Sequence, residues 1–156
     1  MDNIAPFISP PEKEGPPEWE EIQVQLQKTS DPEEQRLALR KLIHQQSIGQ
    51  SVPESVLVTA INYVSRTKDH QTKKLLYLSY EVAETRDRKG ELKPEFILIC
   101  DSLRKDLTHP NEYLRGAALR LLSKFVEEEL LMNLVSAVSE NLRSDISPYV
   151  RRHAVV

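Results

Sequence analysis

The sequence predicts an all-α chain built as a right-handed solenoid of about four stacked helix pairs, and three observations predict it. Apolar residues recur at helical spacing, and the alternation expected of strands is absent. Prolines stand where helices begin rather than inside them. The charged residues Arg36, Lys74, Arg115 and Arg151 of alternate helices lie 38, 41 and 36 residues apart.

The elements follow in order. The first 17 residues hold five prolines, Pro6, Pro10, Pro11, Pro16 and Pro17, a density that forbids a helix, so residues 1–17 are expected to be an acidic, poorly ordered tail. From Met1 to Glu34 nine acidic residues stand against Lys13 and Lys28, a local charge of −7. Residues 18–156 then read as eight helices: 18–28, 32–46, 53–66, 70–85, 92–106, 110–125, 130–143 and 148 onward. Four of the starts carry a proline, with Asp31-Pro32, Val52-Pro53, His109-Pro110 and Ser147-Pro148, because the missing N–H is harmless in a first turn. Within 32–46, Ala38, Leu39, Leu42 and Ile43 make two adjacent apolar rows. Val56, Leu57, Ala60, Ile61 and Val64 make the same wide stripe in 53–66.

The next two helices are apolar nearly all round, through Leu75, Leu76, Tyr77, Leu78 and Tyr80 on one and Phe96, Ile97, Leu98, Ile99 and Cys100 on the other. Burial between neighbouring repeats explains most of this, and a partner surface is the competing account. In 110–125 the two-row stripe returns as Tyr113, Leu114, Ala117, Ala118, Leu121 and Leu122, with Gly116 predicting a close helix approach. Glu127, Glu128 and Glu129 suit the positive end of the helix that follows.

Helix pairs with this period bury their apolar faces only against one another, the signature of HEAT and armadillo solenoids. The phrase HPNEYLRGAALRLLSKF at 109–125 and the phrase DISPYVRRHAVV at 145–156 share one skeleton. Asp145 precedes Arg151 by six positions, which lets a loop carboxylate and a second-helix cation run in rows along the stack, with His109 in the acidic place before Arg115. Arg36, Lys74, Arg115, Arg151 and Asp145 are therefore read as structural repeat positions.

Composition narrows the function. A net charge of −3 over 156 residues offers no general attraction to phosphate backbones, so nucleic acid is excluded as a default partner. Cys100 has no second cysteine to pair with, which fits a reducing compartment. The amino terminus lacks a signal peptide and no stretch approaches a membrane span, so a soluble cytosolic chain is expected. Gly15, Gly49, Gly90 and Gly116 form no phosphate-binding loop, and His44, His70, His109 and His153 have no metal-ligand spacing. No serine lies in a nucleophile elbow. No catalytic, cofactor or metal site is expected, and the chain is read as a non-enzyme. Between Arg66 and Lys93 eight basic residues outnumber five acidic ones, which is ordinary solvation of inter-helix turns or contact with an anionic membrane or acidic partner.

The phrases KKLL at Lys73–Leu76, CDSLRKDLTHPNEYLRG at Cys100–Gly116, EEELL at Glu127–Leu131 and YVRRHAV at Tyr149–Val155 resemble the amino-terminal trunk of the coatomer β subunits, within the adaptin family of large coat subunits. The resemblance covers Glu33 to Val156 and, more loosely, the PPEWEEIQVQLQK stretch. It implies a scaffold of the COPI vesicle coat, peripheral on Golgi membranes, that moves cargo between Golgi and endoplasmic reticulum and within the Golgi. It also implies contact with the δ and other coatomer subunits and with an Arf-family GTPase in its GTP form. Aligning His109–Asn111 with the related adaptin phrase puts Ile97 and Cys100 on the apolar GTPase contact, with Tyr77 and Tyr80 added from the preceding helix. A β adaptin of a clathrin adaptor, or a generic HEAT scaffold, is the alternative. Family members are far longer, and this chain stops at Val156 without a capping repeat, so a fragment is expected, with Leu131, Leu134, Val135 and Val138 partly uncovered.

Overall fold

The computed structural model describes residues 19–125 and 128–155, and every element of regular secondary structure among them is a helix. The tail assigned to residues 1–17, Glu127 of the acidic run and Val156 lie outside the described residues. In chain order the helices are α1 (Trp19–Gln27), α2 (Pro32–Ser47), α3 (Glu54–Thr59, continuing as a π-helical turn over Ala60–Val64), α4 (His70–Val82) and α5 (Glu95–Leu107). They are followed by α6 (Glu112–Leu122), α7 (Glu128–Met132), α8 (Val135–Ser144) and α9 (Pro148–His153).

Local chemistry sets the starts. Asp31 caps α2 by accepting from the Glu33 and Glu34 amides, with Pro32 in the first turn. Asp69 caps α4 through the Thr72 amide, and Asn111 caps α6 through the Tyr113 amide. Pro110 therefore precedes α6 rather than opening it. Between α4 and α5 the predicted helix ends give way to a turn closed by Lys93 N to Thr85 O at 2.9 Å, where Gly90 adopts φ +81°. Left-handed backbone of that kind favours glycine.

The helices stack in two layers. The first contains α1, α3 with its π turn, α5 and α7–α8, and the second contains α2, α4, α6 and α9. Within the second layer α2 packs on α4, α4 on α6, and α6 on α9. The chain is thus a HEAT-like solenoid of four helix pairs among the described residues. Leu26, Leu39, Leu42 and Leu76 are fully buried between the layers, each contributing up to about 1.5–3 kcal/mol. Phe96 and Phe125 meet edge to face at 6.4 Å between centroids. Gly116 is the close approach its position predicts: a Cβ there would lie 2.1 Å from the Tyr149 ring of α9.

The single helix expected over 130–143 is broken. Leu134 sits between α7 and α8 with its side chain 1% exposed, and the break lets Leu130 and Leu134 both reach the core. At the break the Asn133 carbonyl accepts from Arg104 at 3.2 Å. Of the four residues expected to be partly uncovered, Leu134 is therefore a correction, while Val135 is 53% exposed.

Candidate partner-binding surfaces

Three buried or half-buried ion pairs fasten each helix pair to the next. Arg36 on α2 donates to Asp69 at the start of α4 at 2.6 Å and also to Glu33. Lys73 on α4 meets Asp106 on α5 at 2.8 Å, and the Tyr77 hydroxyl donates to the same carboxylate at 2.6 Å. Arg115 on α6 holds Asp145, just after α8, through two bonds of 2.6 and 2.9 Å. Arg115 also donates to the His109 and Pro110 carbonyls, and Arg151 repeats that gesture on the Asp145 and Ile146 carbonyls. The two related sequence phrases thus share a mechanism: each arginine clamps the loop that opens its own helix.

The repeat positions need one correction. Lys74 is exposed, and the cation on the ladder is Lys73, 3% exposed. Adjacent residues differ by about 100° around a helix, so the Lys73-Lys74 pair leaves the register ambiguous until packing chooses. The carboxylates at the outer rungs titrate accordingly. Bonds from Thr72, together with Arg36, hold Asp69 below its ordinary value, and Arg115 does the same for Asp145. Asp106 was not signalled by spacing, because it lies inside α5 rather than in a loop.

The predicted GTPase-contact residues separate. Ile97 is 58% exposed on α5, beside Leu98 at 43%. Cys100, Tyr77 and Tyr80 are corrections, being buried at 5%, 7% and 1% exposure. Cys100 faces α7, where its thiol lies 3.9 Å from the Leu130 carbonyl. Desolvation raises the Cys100 thiol and both tyrosine hydroxyls above their ordinary values. The spacing of three that suggested a shared face instead straddles the edge between core and solvent.

Two grooves flank these helices. One of about 620 Å³ runs between residues 61–68 and α5, taking in Leu98, Asp101 and Lys105. The other, about 610 Å³, lies on the second layer between α4, α6 and α9. Among the described residues no group of three metal-ligating side chains converges, and no helix is long and apolar enough to cross a membrane.

A family model described as the adaptin N-terminal region matches residues 16–156. Coatomer subunit beta-2 of Arabidopsis thaliana is 38% identical over 156 residues, all of this chain and 16% of that protein. Coatomer subunit beta of Sus scrofa is 40% identical over 150 residues, 96% of this chain and 15% of that protein. Coatomer subunit beta of Trypanosoma brucei brucei is 46% identical over 101 residues, 65% of this chain and 10% of that protein. The chain therefore spans about a sixth of the length of such relatives.

Proposed function

The chain belongs to the adaptin N-terminal region family, and from that premise we propose that it is a non-enzymatic scaffold segment of the COPI vesicle coat. In this reading the solenoid packs against other coatomer subunits, δ among them, and receives the GTP form of an Arf-family GTPase. It works from the cytoplasmic side as a peripheral component on Golgi membranes, in traffic between Golgi and endoplasmic reticulum and within the Golgi.

The observation that supports the GTPase contact is Ile97. A β-branched aliphatic side chain 58% exposed on a helix whose other face carries Phe96, Ile99 and Leu103 in the core is apolar surface held rigidly toward solvent. Ile97→Asp is expected to abolish GTP-dependent binding of the GTPase while leaving helicity and melting unchanged. Normal binding by the folded variant overturns the contact. An affinity pull-down from cell lysate tests the coat assignment: recovery of δ and γ coatomer subunits supports it, and recovery of clathrin or of neither overturns it.

A further inference from the structure

The groove between α4, α6 and α9 is not used by the contact proposed above. Its floor is apolar and aromatic: Leu78 is 41% exposed, Tyr113 66% and Tyr149 39%, and the two tyrosine rings stand 5.8 Å apart between centroids. Its rim carries Lys74 and Arg120, for which no ion pair forms among the described residues, while Glu81 is already engaged by Lys124 at 3.8 Å. A tyrosine-lined groove with a cationic rim suits a proline-rich segment that has apolar side chains and acidic flanks.

The chain contains such a segment outside the described residues. Residues 1–18 hold Ile4, Phe7 and Ile8 among prolines, and Asp2, Glu12, Glu14 and Glu18 against Lys13, a net charge of −3. We propose that the groove between α4, α6 and α9 is the docking site of residues 4–11 of this same chain, with the acidic residues around them meeting Lys74 and Arg120. The reach is sufficient. The linker from Pro11 to Trp19, eight residue steps, spans about 25 Å at ~3.1 Å each, whereas the path from α1 across α2 to α4, where the groove begins, is two interhelical steps of about 8–10 Å. Tethering presents the segment at an effective concentration of about millimolar, so a weak contact suffices to fill the groove.

The test uses the full chain with Asn3→Cys carrying a nitroxide, read by amide signal loss in NMR. Cys100, 5% exposed and with its thiol raised by burial, stays unlabelled. Severalfold loss at Tyr113, Ala117 and Arg120 but not along α8 is expected, and it should vanish in two independent variants. One is Phe7→Ser with Ile8→Ser, which leaves the solenoid untouched. The other is Lys74→Glu with Arg120→Glu, which alters only the rim. Loss confined to α1, or groove loss that persists in both variants, overturns the proposal. So does a free peptide of residues 1–17 that binds the full chain as tightly as it binds the Phe7→Ser, Ile8→Ser chain, since that would mean an open groove serving a ligand from another molecule.

Discussion

Lys73 and Asp106 meet beneath the stack, with side chains 3% and 9% exposed, whereas Arg115 and Asp145 meet beside the loop that opens α9, at 17% and 7%. The first rung joins two helices directly and shares its carboxylate with Tyr77. The second is surrounded by backbone: Asp145 also accepts from the Ser147 amide, and Arg115 holds two loop carbonyls. The difference teaches what each pair contributes. Each carboxylate keeps one other donor when its cation is removed, Tyr77 for Asp106 and the Ser147 amide for Asp145, so what separates the rungs is the cation, 3% exposed for Lys73 and 17% for Arg115.

Lys73→Met is the sharpest way to break this comparison and should destabilise the chain by about 3–5 kcal/mol in urea unfolding. Adding Asp106→Leu should recover most of that loss, leaving about 1 kcal/mol for the Tyr77 hydroxyl without its acceptor. Arg115→Met should be milder, about 1.5–3 kcal/mol, because Arg115 is 17% exposed where Lys73 is 3% exposed. Equal losses for the two single variants would show that burial does not distinguish the rungs.

Gly116→Ala sharpens the same step from the packing side. The added methyl meets the Tyr149 ring, so a loss of about 1–2 kcal/mol is expected in spite of the gain in helix propensity. In a Tyr149→Ala background the same change should instead stabilise by about 0.5–1 kcal/mol. A loss in both backgrounds would remove the ring as the cause.

The smallest expected effect is on pH dependence. Asp145 is held below its ordinary value of 3.8 in the folded chain, so its contribution is complete above that value and is lost as pH falls through the lower folded value. Asp145→Asn should therefore flatten part of the acid limb of stability below about pH 4 and leave the slope near neutrality unchanged. A slope altered near neutrality instead would assign the pH dependence to another group.

Much of this architecture was legible in the residues. Ala38, Leu39 and Leu42 announce their helix and its buried side together, because a 3.6-residue period fixes both. Arg115 and Arg151 were legible as repeat positions because the phrases around them match. The ladder lysine was not, since one residue of register separates a core-edge cation from a solvated one, and only Asp106 on another helix decides it. The break at Leu134 was equally hidden: it satisfies the core and Arg104, both remote in sequence. Ile97 and Cys100 show the limit for surfaces, because an all-apolar stretch carries no period that tells which of its sides is covered.

The three rungs gather near the start of α2, the start of α4 and the loop before α9, one margin of the stack, and tie residues 33, 33 and 30 positions apart in the chain. Mechanically this margin behaves as an inextensible seam. A load that bends the solenoid open on that side must stretch charged bonds in series, whereas bending toward it meets only the softer yielding of apolar packing. Opening the stack at that margin is therefore expected to cost more than closing toward it.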